Sequence, residues 1–264
     1  MSVVNRQWSY MKQIPNIFTL LNLAFGCCAI IATLQNGITI EYSPEGAQYL
    51  DIPEKIWMAS LFIGLAGVVD FLDGFVARLF KATSEMGKQL DSLADVVSFG
   101  AAPAMIMYQF LRLSLAKEEN GLNASTIWLL PALLIACAAA YRLAKFNIDT
   151  TQTYGFKGVP TPAVGILIAS FPLIYWHSPT DMVIDVLLNK WVLYGIIVFL
   201  CWLMISNLPI MALKFKDFTL KNNLPKIILL VIAVVAAFLL QWLAVPVVFI
   251  AYIILSLLYK QQKI

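Results

Sequence analysis

The stretch VVDFLDGFVARLFKATSEMGKQLDSLAD, residues 68–95, sets four aspartates, Asp70, Asp73, Asp91 and Asp95, beside or inside apolar runs. Their spacing decides how the segment folds. Asp70 and Asp73 are three apart, so they share one face of a helix, and Ala77 continues that face. Gly74 and Arg78 form the neighbouring stripe. Gly87, Asp91 and Asp95 follow at intervals of four and share a face of the next helix. The turn between them, LFKATSEM, is short and basic. A short connection predicts antiparallel neighbours, with two carboxylates from each helix converging on one point.

The surroundings are apolar enough to make this costly. The chain has 264 residues, 61% hydrophobic and 12% charged, with a mean hydropathy of +0.81. A soluble globule is about 45–50% apolar and about 25% charged. An integral membrane protein of all-α class is therefore expected. The net charge of +3 is too small to argue for nucleic acid. Cys27, Cys28, Cys137 and Cys201 lie in apolar runs without a CxxC pair or a Cys/His cluster, so neither a zinc site nor a disulfide framework is suggested. His177, at the end of an apolar run, reads as an interfacial residue. No cleavable signal peptide is evident.

A spanning helix needs about 20 mostly apolar residues. Eight such segments are predicted, over 15–35, 55–79, 93–115, 126–146, 160–177, 190–208, 225–242 and 244–260. The last two form a hairpin or one long broken segment. Lys and Arg set the orientation. With the N-terminus inside, Lys55, Arg112, Lys117 and Lys190 fall on the outer side. That leaves 14 of the 18 basic residues on the cytoplasmic side. Both termini are expected to be cytoplasmic, and the acidic motif to lie at the cytoplasmic ends of spans two and three.

An ionised aspartate in hydrocarbon costs about 3 kcal/mol on insertion scales. Four converging carboxylates cannot all stay ionised unless cations sit among them. Oxygen-only ligands suit Mg²⁺ or Mn²⁺, and two such ions commonly serve displacement at phosphorus. Gly74, Ala77 and Gly87 leave room for a ligand near the backbone, and Arg78 offers a forked donor set for phosphate. Simple solvation of helix ends suffices for Lys81, Glu85 and Lys88, but it does not demand one shared face on both helices. A cation or proton pathway is the rival of another class; against it, the acids cluster at one membrane face rather than at the midplane.

The pattern Asp-x-x-Asp-Gly-x-x-Ala-Arg, eight residues, then Gly-x-x-x-Asp-x-x-x-Asp resembles the signature of the CDP-alcohol phosphotransferases, with every fixed position present. That resemblance implies a six-helix membrane core over 14–208 with its polar cavity at the cytoplasmic side. Residues 209–264 would then form a C-terminal two-helix extension of the single membrane domain 1–264. It implies that Asp70, Asp73, Asp91 and Asp95 ligate two divalent cations, Mg²⁺ or Mn²⁺. Asp95 would also be the catalytic base, although a metal-bound carboxylate is a weak one. Gly74, Ala77, Arg78 and Gly87 would border the CDP moiety.

The segments IPNIFTLLNLAFGCCAI, LDSLADVVSFGAAPA, YRLAKFN and FKGVPTPA further resemble one branch of that family, the membrane-embedded bacterial phosphatidylserine synthases. This implies CDP-diacylglycerol and L-serine as substrates, CMP as leaving group and a bacterial inner membrane as the home. Membrane lipids are the other expected partners, and a homodimer is one arrangement the resemblance allows. Sister enzymes using glycerol 3-phosphate, inositol or choline share the acidic motif. The branch pattern would put Arg where Lys145 stands; Lys keeps the charge and loses the bidentate geometry.

Arg142 and Lys145, three apart at the end of span four, suit a serine carboxylate or a lipid phosphate, and equally a positive-inside anchor. Asn16 and Thr19 sit at the same membrane level, as nucleotide contacts or as a polar helix start. Ser98 and Pro103 read as packing or kink residues. The basic loop beyond Leu208 suits anionic headgroups or plain topology.

Overall fold

Polar and special residues punctuate the apolar runs and set where each helix begins. The architecture is that of a computed structural model, which describes residues 14–42, 46, 48–79, 84–118, 121–149, 156–177, 180–212 and 220–259. The basic turn at 80–83 and the charged positions Arg6, Lys12, Lys214 and Lys216 lie outside the described residues.

Helix α1 (Ile14–Gln35) opens with Pro15, which suits a first turn. The polar loop after it forms a small antiparallel hairpin, β1 (Thr39–Tyr42) with β2 (Gln48–Asp51), in register Thr39↔Asp51. A 3₁₀ turn leads into α2 (Trp57–Leu79). Helix α3 (Glu85–Asp95) starts at Ser84, whose side chain accepts the Gly87 N–H at 3.0 Å. That satisfies one of the donors a helix start leaves free.

A π-helical stretch, Val96–Ala101, joins α3 to α4 (Ala102–Ala116). The whole run Glu85–Ala116 is one apolar helix of 32 residues. Span three therefore begins eight residues before the predicted 93, because the Ser84 cap lets the acidic segment join the helix.

Helix α5 (Leu134–Ile148) follows a series of 3₁₀ turns from Thr126. Strand β3 (Phe156–Lys157) precedes α6 (Thr161–His177). Helices α7 (Asp181–Leu187) and α8 (Lys190–Ile205) are bent 63° from one another. Strand β4 (Pro209–Ile210) returns to pair with β3. Helices α9 (Leu220–Leu240) and α10 (Ala244–Leu258) close the described chain.

All eight predicted spans are helical. Among the described residues five segments are long and apolar enough to cross a membrane, with the run Asn223–Leu258 through α9 and α10 counted as one, and a sixth if α7 and α8 are one span; α6 is a shorter apolar helix. The last pair packs arm against arm, and Gln241 between them takes a φ of 49°. It is therefore a hairpin. The two short strand pairs were not foreseen, and both lie in connections between spans. Large apolar side chains such as Phe238, 85% exposed, cover the outside. Such a surface suits lipid rather than water.

Helix α4 and the π-stretch form the centre of the bundle, with Phe99, Ile106, Met107 and Phe110 fully buried. Phe110 packs edge-on against Phe171 and Tyr175 of α6, at 6.2 and 5.8 Å between ring centres. Helix α1 packs along both α2 and α3. At Gly26 it comes so close to the π-stretch that an added Cβ would lie 2.4 Å from Ser98 Oγ. Because successive spans alternate in direction, the start of α1, the end of α2, the start of α3, the end of α5 and the start of α6 meet at one end of the bundle.

Candidate acidic site

That end holds the carboxylates. Asp70 from α2 and Asp91 and Asp95 from α3 each offer an oxygen, and these oxygens lie within 4.8 Å of one another. Asp95 is buried, and Asp70 and Asp91 are half-buried. Among the described residues Asp91 Oδ1 is buried without a hydrogen-bond partner. Three crowded carboxylates, one of them with a buried oxygen that no donor reaches, are a poor arrangement for carboxylates alone. They match the donor set a hard divalent cation takes.

Asp73 is not one of the three whose oxygens converge within 4.8 Å, but it lies within electrostatic reach of each of them. Its Oδ2 accepts the Thr19 hydroxyl at 2.7 Å. Thr19 Oγ1 also lies 3.2 Å from the Pro15 carbonyl. A hydroxyl has one proton, and the shorter contact, to the carboxylate, takes it. Thr19, expected as a nucleotide contact or a polar helix start, thus orients a site carboxylate.

Asn22, one turn further along α1, does the same for Asp95: its Nδ2 donates to Asp95 Oδ1 at 3.2 Å. Asn22 was missed as a site residue. The signal was available, since a buried amide inside LLNLAFG needs a partner and shares a helix face with Thr19 and Gly26. Ser98 completes the brace by donating to the Asn22 carbonyl at 2.9 Å. Ser98 is therefore more than packing: it ties the π-stretch to α1 directly behind Asp95. A π-turn commonly marks a functional position, and here it begins at the residue after Asp95.

The small residues of the motif differ in how much room they leave. An added Cβ at Gly74 would meet only Arg78 Nη1, at 3.8 Å, so the space above it is open. Ala77 is half-buried and Arg78 exposed on the same stretch. Gly87 is tighter: an added Cβ would lie 3.0 Å from Ser84 Oγ and 3.1 Å from Asn16 Oδ1. Asn16 thus lies against the start of α3.

Arg142 and Lys145 differ in burial and in partners. Arg142 is 7% exposed. One Nη donates to Thr161 Oγ1 at 3.0 Å, and its Nε has no partner among the described residues. It lies within electrostatic reach of Asp95. Lys145 instead donates to Asn207 Oδ1 at 2.9 Å, in an exposed position. Nearby, Asn147 Nδ2 donates to Ser92 Oγ at 2.8 Å, and Lys88 Nζ donates to the Asn147 carbonyl at 3.3 Å. These contacts lash the end of α5 to α3. A buried cation with an unsatisfied N–H has the chemistry to take an anion, whereas the Lys145 ammonium is held by an amide oxygen.

Fold and site together define a polytopic helical membrane protein with an oxygen-only acidic centre and a buried arginine near it. Residues 12–207 match the family model described as CDP-alcohol phosphatidyltransferase. The chain belongs to that family. It is similar to the CDP-diacylglycerol–serine O-phosphatidyltransferase of Helicobacter pylori, 32% identical over 211 residues, which span 78% of this chain and 75% of that protein. The enzyme of the same name from Bacillus subtilis is 32% identical over 171 residues, 62% of this chain and 78% of that protein. That of Mycobacterium tuberculosis is 31% identical over 258 residues, 92% of this chain and 76% of that protein.

Proposed function

We propose that this protein transfers the phosphatidyl group of CDP-diacylglycerol to the hydroxyl of L-serine, giving phosphatidylserine and CMP. Membership of the family and likeness to serine-using relatives support the reaction class. The observation that carries the acceptor is Arg142, a buried guanidinium with an N–H left over beside the acidic centre. Serine brings a carboxylate that such a group binds.

Asp70, Asp91 and Asp95 would hold a divalent cation, Mg²⁺ or Mn²⁺, with Asp73 as the fourth ligand of a two-ion site. Bound there, such ions neutralise the diphosphate and the charge that grows on departing CMP. Gly74 leaves the backbone open to the CDP moiety, Ala77 and Gly87 border it, and Arg78 reaches phosphate oxygens. Asn16 flanks the same mouth. The serine oxygen forms a bond to the phosphorus carrying diacylglycerol, the bond from that phosphorus to the CMP oxygen breaks, and Asp95 accepts the hydroxyl proton. Asn22 holds Asp95 in place for that transfer. Lys145, spent on Asn207, contributes charge to the mouth rather than a clamp.

Purified protein given CDP-diacylglycerol, Mn²⁺ or Mg²⁺ and one alcohol at a time should release CMP with serine. Release with glycerol 3-phosphate, inositol or choline and not with serine would overturn the acceptor assignment.

We infer further that the 14–208 core carries the chemistry, that 209–264 is an added two-helix unit, and that the acidic end faces the cytoplasm of a bacterial inner membrane. A cysteine placed at exposed Glu85 should resist a membrane-impermeant thiol reagent in intact cells; labelling there would reverse the orientation. A homodimer predicts two chains per particle by native mass spectrometry, and a single chain would exclude it.

A further inference from the structure

The α9–α10 hairpin lies beyond residue 207, where the family match ends. Its inner face nonetheless reaches back toward Arg142 through hydrogen bonds joined by short stretches of backbone. Tyr252 and Ser256 of α10, four apart and therefore on one face, are 6% and 1% exposed. The Tyr252 hydroxyl donates to the Met211 carbonyl at 2.9 Å. The Met211 N–H donates to Ser256 Oγ at 3.2 Å. One helix face thus satisfies both backbone polar groups of a buried residue in the connection after α8.

Met211 directly follows β4. Strand β4 pairs with β3 through Phe156↔Ile210 and Lys157↔Pro209. Beyond β3, Gly158 donates its N–H to the Leu208 carbonyl at 2.9 Å, and Val159 donates to Leu203 at 3.0 Å. Gly158 has a φ of +79°, and an added Cβ would lie 2.5 Å from the Met204 carbonyl. The chain can pass this point only as glycine. Three residues later stands Thr161, fully buried, which accepts from Arg142. Tyr252 itself lies within electrostatic reach of Arg142.

We propose that Tyr252 and Ser256 are positioning residues for the acceptor site: by gripping Met211 they fix β4, β3 and Thr161, and through Thr161 the aim of Arg142. The C-terminal hairpin is then a part of serine recognition rather than a passive anchor. This rests on the assignment of Arg142 to the serine carboxylate.

The test is steady-state kinetics on full-length Tyr252→Phe, Ser256→Ala, Ser256→Thr, Arg142→Ala and the double variant Tyr252→Phe/Arg142→Ala. Tyr252→Phe keeps the buried ring and removes one neutral hydrogen bond. It should raise the KM for serine about five-fold, with the KM for CDP-diacylglycerol unchanged. Ser256→Ala should do the same, and Ser256→Thr should restore the parent value. In the Arg142→Ala background, Tyr252→Phe should add nothing, since both act on one interaction.

Equal increases in both KM values, additivity in the double variant, or an unchanged serine KM in Tyr252→Phe and Ser256→Ala would each overturn the proposal. If Tyr252→Phe fails to insert, the Ser256→Ala and Ser256→Thr pair decides alone. An Arg142→Ala variant with the parent serine KM would instead sink the underlying assignment of Arg142.

Discussion

Replacing Thr19 by valine separates two jobs the residue was expected to do. Valine matches threonine in shape and removes only the hydroxyl, so the buried position beside α2 stays filled. Asp73 Oδ2 then loses a donor at 2.7 Å. A hydrogen bond to a charged group is worth about 1.5–3 kcal/mol, and about 1.4 kcal/mol is a factor of ten. The half-activating concentration of Mn²⁺ should therefore rise about ten- to hundred-fold, a range also typical of groups that orient metal-binding carboxylates. The assay is CMP release at saturating serine and CDP-diacylglycerol, titrated with Mn²⁺ after chelation. At saturating Mn²⁺ the rate should recover most of its parent value. A Mn²⁺ response within two-fold of the parent, together with a raised KM for CDP-diacylglycerol, would contradict this role for Thr19. It would mean that Thr19 touches the nucleotide rather than holding Asp73.

Other outcomes follow from the glycines and from Asn22. Gly26→Ala sets a methyl 2.4 Å from Ser98 Oγ, forcing α1 off the π-stretch. Overpacking of this kind costs about 1–3 kcal/mol, so the thermal midpoint in detergent should fall along with activity. Gly74→Ala meets nothing closer than Arg78 Nη1 at 3.8 Å. Its midpoint should stay put while the KM for CDP-diacylglycerol rises at least about ten-fold, as expected if substrate fills that space; an unchanged KM would remove Gly74 from the nucleotide site. Asn22→Leu leaves Asp95 without its amide donor and should lower kcat about ten-fold or more, with little change in either KM. Parent-like kcat would show that Asp95 needs no such support.

The extent to which the chain announces its structure varies by level. The spacing in residues 68–95 carries the helical faces directly, because helix period is a local property. Apolar run length likewise marks where the helices of the eight predicted segments lie. The partners of the aspartates are another matter. Thr19 and Asp73 are 54 residues apart, and Asn22 and Asp95 are 73 apart; no local period encodes such pairs.

The four carboxylates are not held alike: Asp70, Asp91 and Asp95 bring their oxygens together, and Asp73 is braced from another helix. Asp73 turns to α1, because α1 packs along both α2 and α3 and brings a hydroxyl within reach. The π-stretch was invisible for a similar reason. Nothing in VVSFGA departs from an apolar helix, and its extra residue per turn is set by what packs against it. Arg142 and Lys145 looked alike at one helix end. Burial and partners, which come from tertiary packing, told them apart.

The carboxylate centre is tested most directly by mass-spectrometric detection of phosphatidylserine formed from CDP-diacylglycerol and serine by purified protein, after chelation and after return of Mn²⁺ or Mg²⁺. The parent protein should lose product formation on chelation and regain it with the cation, while Asp95→Asn, inserted and folded, should form none under either condition. Product formation that survives chelation, or an Asp95→Asn variant that turns over near the parent rate, would contradict the assignment of the carboxylate centre.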